Sequence, residues 1–142
     1  MLAKATGGCM GVQVSIDEMR NIVYIAFHGV MTDDLLISSY ARLSQYIPDD
    51  QATATLVDLS GVTFGGEVTS RSIREVAASP QLAPKNRLSV VVAPMEVAFG
   101  MARMFEILGG EKRNGLRIVR SIDAAYRLLG VEKLELRLLQ EW

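Results

Sequence analysis

From residue 12 the chain alternates apolar and polar side chains, with Val12, Val14 and Ile16 interleaved by Gln13, Ser15 and Asp17. A period of two is what a strand with one buried face requires. After the turn-forming DEMRN, the run IVYIAFHG from Ile22 is apolar and β-branched and predicts a second strand ending at Gly29. The short connection favours antiparallel pairing.

The rhythm then lengthens. Leu36, Tyr40, Leu43 and Ile47 fall at spacings of four, three and four, one stripe of an amphipathic helix. Thr32 is placed to cap it, Asp33 and Asp34 suit the positive end of its dipole, and Pro48 stops it. The segment ATATLVDL restores a strand whose apolar end suits burial on both faces, followed by a turn at Gly61. A short helix is predicted over residues 68 to 78, with Ile73, Val76 and Ala77 inward and Ser72 and Glu75 at capping-box spacing. A loop with two prolines leads to RLSVVVA, the strongest β signal in the chain. Pro94 opens a helix that runs to the Gly109–Gly110 pair. LRIV is a short fifth strand, and SIDAAYRLL, capped by Ser121 and closed by Gly130, is a further helix. In the tail, VEKLELRLLQEW, Leu134, Leu136 and Leu138 alternate like a strand, whereas Leu134, Leu138 and Trp142 sit at helical spacing, and the reading leans towards helix.

The order β-β-α-β-α-β-α-β-α predicts an α/β fold with a mixed, mostly parallel sheet and one antiparallel edge. At 142 residues this is a single domain, with residues 1–11 as a flexible tail and 132–142 as a C-terminal extension. Fifteen basic and sixteen acidic residues leave a net charge of −1, without the electrostatic footprint of a nucleic-acid binder. Cys9 alone forbids an internal disulfide, and no run is long enough for a signal peptide or a membrane span. The expected location is the cytoplasm.

The element order, with VDLSGVTF closing the third strand, resembles the STAS family of anti-anti-sigma factors and sulphate-transporter tails. More narrowly, the chain is similar to SpoIIAA-like (STAS/SEC14-type) bacterial proteins, including the Phe- and Met-rich helix in VVVAPMEVAFGMARMFEIL. The resemblance implies a regulatory, protein-binding module. In the family, a hydroxyl residue opening the second helix is phosphorylated by a partner kinase. Asp58, Leu59, Ser60, Val62 and Phe64 match the family's strand end, but its acid falls on Gly66 and its hydroxyl residues on Glu67 and Val68. The standard phosphoserine switch is therefore expected to be absent, leaving Thr69 and Ser70 as the candidate phosphorylation sites. Glu67 would repel part of a phosphate placed beside it.

Catalytic chemistry has little to work with. His28 is the sole imidazole and has no orienting acid near it in sequence, so an edge histidine is the plainer reading. Asp58 and Ser60 read more simply as turn-stabilising residues than as a catalytic pair. GVTFGG lacks both the dinucleotide and the phosphate-loop spacing. No enzyme activity, cofactor or metal is expected.

The helix 95 to 108 is more informative. Val97, Met101, Met104, Phe105 and Leu108 form one face, widened by Met95, Ala98, Phe99 and Ala102. Core packing accounts for such a helix. The alternatives are a protein-binding face or the wall of an apolar pocket, with Arg103 and Arg113 available to an anionic group. The expected binding surface comprises Asp58, Ser60, Phe64, Glu67, Val68, Thr69, Ser70, Met101 and Phe105, and the expected partner is another protein. The alternative function is a carrier or sensor of a small apolar or amphipathic, lipid-like ligand. The leucine-rich tail adds the expectation of a homodimer.

Overall fold

The structure is a computed structural model and describes residues 10–43, 54–64, 68–78, 88–109 and 115–142. Cys9, Ile47, Pro48, Glu67 and Arg113 lie outside the described residues, as does the two-proline loop. The elements are β1 (Met10–Asp17), β2 (Ile22–Met31), α1 (Asp33–Leu43), β3 (Ala54–Phe64), α2 (Ser70–Ala78), β4 (Leu88–Val92), α3 (Glu96–Gly109), β5 (Leu116–Val119), α4 (Ile122–Leu129) and β6 (Arg137–Glu141).

They build a six-stranded sheet in the order β5-β4-β3-β2-β1-β6. Strands β2 to β5 are mutually parallel, and β1 pairs antiparallel with β2, as the alternating and continuous apolar patterns require. The period-two face of β1 puts Val12 and Val14 into a core with Val23, Ile25 and Phe27 of β2. Leu43 of α1, Ile73 of α2 and Met101 and Phe105 of α3 pack on that side. The opposite face carries α4, whose Ala125 lies on Leu56, Val90 and Val92. Thr32 caps α1 by accepting from the Leu35 amide at 3.3 Å. Ser121 caps α4 by accepting from the Ala124 amide at 3.1 Å, and Gly130 closes that helix.

Three features depart from the sequence reading. First, β2 runs past Gly29 to Met31, because Gly29 takes a φ of 102° that kinks the strand without ending it. Second, β3 does not turn at Gly61 but continues to Phe64. Its pairing with β2 jumps from Ala26↔Asp58 to His28↔Gly61, so an extra residue is absorbed as a bulge.

Third, the tail is not helical. It crosses under the sheet, where Leu134 joins the cluster beneath α4, and returns as β6 along β1. Leu138 pairs with Ser15 and Gln140 with Val14, leaving Leu139 as a bulge. The leucine alternation that suits a strand prevails over the helical spacing because β1 otherwise has an unpaired edge. Trp142 seals the end: its amide and carbonyl exchange hydrogen bonds with Val12 at 2.9 and 2.7 Å, and Arg42 lies 4.4 Å over its ring. Trp142→Ala is therefore expected to lower stability by about 2 kcal/mol, read as a shift in the urea midpoint at constant slope.

Candidate functional site

The N-termini of α1, α2 and α3 follow the carboxyl ends of the parallel strands β2, β3 and β4, the rim where open α/β sheets place their ligands. The central object on that rim is Asp33, the first residue of α1. Its carboxylate reaches to the start of α2, accepting from the Thr69 amide and the Thr69 hydroxyl, each at 2.7 Å. It also accepts from the Ser72 hydroxyl. The Ser72 bond first, then the two from Thr69, hold the Asp33 carboxyl below the usual carboxylate range, against an opposing contribution from burial.

Asp33 therefore does for α2 what an N-cap side chain does within one chain segment, from 36 residues away. Ser72 is fully buried and turned to Asp33 instead of forming the capping box with Glu75. Asp33 is legible in the sequence only as a carboxylate in the first turn of its own helix. Nothing in its spacing announces a bond to a second helix.

The nine expected surface residues divide among different places. Thr69 and Ser70 are exposed at the α2 N-terminus. Val68 is not on the surface: it is buried in the core beneath α1 to α3, in the same cluster that half-buried Met101 and Phe105 pack against. Phe64 is described as the last strand residue, paired with Met31. Glu67 lies outside the described residues.

Asp58 and Ser60 belong to the other face. The Tyr24 hydroxyl donates to Asp58 Oδ2 at 2.6 Å, and the Ser60 amide donates to Oδ1 at 2.9 Å, with the Ser60 hydroxyl on the same oxygen. Tyr24 itself packs toward the α4 cluster, and burial, then the bond to Asp58, raises its phenol well above the ordinary value. These bonds fasten the β3 bulge to β2, so Asp58 and Ser60 act as backbone-holding residues.

His28 is exposed and lies across β1, with its imidazole so close to Gly11 that a Cβ there would meet Nε2 at 2.2 Å. Among the described residues no group of three His, Cys, Asp or Glu side chains comes together. Arg103 is engaged by Glu106 at 2.6 Å, while Arg120 lies 4.0 Å over the Phe99 ring and pairs with Glu96 at 2.9 Å. On α3, Val97, Ile107 and Leu108 are exposed, and Met95 just before it is too. No described helix is long and apolar enough to cross a membrane.

The arrangement has a solved counterpart. The chain superposes on the anti-sigma factor antagonist SpoIIAA in its unphosphorylated form with a TM-score of 0.55, covering 86% of this chain and 99% of that one. The fold is that of SpoIIAA. Sequence identity is 15%, so the likeness lies in architecture. The SpoIIAA-like order read from the chain is thus present, extended by β6. No family model matches the chain, and no curated protein matches it.

Proposed function

We propose that the protein is a non-enzymatic, protein-binding regulatory module of the STAS type, in a bacterial cytoplasm, without the phosphoserine switch. The SpoIIAA fold supports the module, since that protein is an anti-sigma factor antagonist and acts on another protein. The observation that carries the loss of the switch is Asp33. A carboxylate already holds the amide and hydroxyl at the α2 N-terminus, the place where a phosphate would gain most. A phosphate on Thr69 would remove the hydroxyl's bond and face Asp33 at close range.

Thr69→Glu mimics that charge and is expected to cost about 2 kcal/mol, whereas Ser70→Glu, on an exposed side chain, changes stability little. Equal midpoints for the two variants in urea would contradict the reading.

The docking face runs from Thr69 and Ser70 to the exposed apolar side chains of α3, above Met101 and Phe105. Ile107, 68% exposed, is its outermost apolar residue. The test is a photo-crosslinking residue at 107, with one at exposed Leu128 on the opposite face as control, in the native host. A partner crosslinked at 107 alone, whose purified form binds at least tenfold more weakly to Ile107→Glu, supports the reading. Crosslinks at 128 alone would overturn it.

The homodimer belongs to the same proposal. Leu136, Leu138 and Leu139 are exposed at the outer strand. The bulge at Leu139 interrupts the free edge, so a second copy would pack on the leucine face instead of extending the sheet. Leu138→Lys is expected to yield a monomer by light scattering where the unaltered chain is a dimer.

A further inference from the structure

Between the sheet and helices α1 to α3 lies a cavity of about 140 Å³. Phe27, Met31, Val57 and Leu59 form part of its floor, and Tyr40, Ile73, Met101 and Phe105 part of its roof. Among the described lining residues only Ser89 and Tyr40 have polar side chains; the others present hydrocarbon and thioether. Protein interiors are otherwise packed so closely that voids larger than a water molecule are few. Water gains little here, because it needs two to four polar partners and the wall supplies almost none.

The volume sets the size of what fits. A cavity of about 150 Å³ lined by Leu, Ile and Phe stays dry and takes benzene. Sites for drug-sized ligands begin at roughly 300 Å³. A long acyl chain or a sterol therefore exceeds the space, and a charged headgroup would find no counter-ion among the described lining residues. The two phenylalanines and two methionines present ring edges and polarizable sulfur, the contacts an aromatic ring makes best.

We propose that this cavity binds a neutral, compact apolar molecule, aromatic or short and branched, of about six to eight non-hydrogen atoms. Half-buried Met101 and Phe105 stand between the cavity and the surface of α3, so an occupant would press on the helix that also carries the exposed Val97 and Ile107. The inference goes beyond the docking reading and does not depend on it, because the ligand is tested with no partner present.

The probe is benzene, titrated into the full chain carrying ¹³C-labelled methionine methyls. Met31 and Met101 line the cavity, whereas Met19 and Met95 are 89% and 60% exposed and serve as internal controls. Saturable shifts are expected at Met31 and Met101 and none at Met19 and Met95, together with a rise in the melting midpoint. Ala102→Leu, which fills the cavity from α3, is expected to weaken benzene at least tenfold while the control methyls keep their positions. Silence at Met31 and Met101 at saturating benzene would overturn the proposal in the unaltered chain, whatever the variant does. Dodecanoate moving the same methyls at lower concentration than benzene would overturn the size limit, and so the proposal.

Discussion

Leu56→Ala is expected to cost about 3 kcal/mol of folding free energy, lowering the melting midpoint by about 10 °C. Leu56 is 0% exposed in the middle of β3, between β2 and β4. Its side chain packs with Val90, Val92 and Ala125 under α4, the side of the sheet opposite the cavity. Removing its branched end leaves a hole walled by two strands and a helix that cannot close on it. The loss is then the transfer free energy plus the cavity term. For a domain whose whole stability is about 5–15 kcal/mol, this is a large fraction. Leu128→Ala, at a side chain 46% exposed and outside every surface proposed above, should stay within about 0.5 kcal/mol. Urea titrations of the two variants, with unchanged slopes, check both values. A Leu56→Ala cost below that of Leu128→Ala would mean that the α4 face is not a packed core.

The fold was largely readable because most of its elements bury one face at a single period. Val12, Val14 and Ile16 in twos, Leu36, Tyr40 and Leu43 in threes and fours, and the caps Thr32, Ser121 and Gly130 each act within a few residues. Where the sequence misled, the deciding contact was distant. Gly61 looks like a turn, but the hydrogen-bonding partners waiting on β2 hold the chain extended and convert the surplus residue into a bulge. The tail fits two periods, and only the vacant edge of β1 selects the strand.

The candidate site was less legible for the same reason. Thr69 and Ser70 could be placed near a helix start, yet their chemistry depends on Asp33. Val68 has the composition of a contact residue and is spent in the core. The face of α3 that remains outside, with Val97 and Ile107, is apolar like the inner one, so hydrophobicity alone could not tell them apart.

Acid is expected to unfold the protein through two carboxylates, and the sign follows from their partners. Asp17, 1% exposed, accepts from the Glu135 amide at 3.0 Å, the Arg20 amide at 3.0 Å and the Arg20 guanidinium at 2.8 Å. The Glu135 bond first, then those from Arg20, hold its carboxyl below the usual carboxylate range despite opposing burial. Asp33 is lowered in the same sense by Ser72 and Thr69. A carboxylate with a depressed folded-state pKa contributes stability that is complete above its unfolded value and is lost as pH falls through the folded one. The melting midpoint should therefore be level near pH 7 and fall below about pH 5, steepening through the depressed values. In Asp17→Asn the amide turns an N–H toward donors on Arg20 or Glu135, so the variant is less stable at pH 7 and loses part of the acid slope. Asp33→Asn should behave likewise, with its loss confined to the start of α2, where hydrogen exchange at Ser72 and Ile73 would speed up while Leu56 and Val90 stay protected. A midpoint that rises on acidification, or an Asp17→Asn profile parallel to the unaltered one, would show that these carboxylates are not held as the hydrogen bonds require.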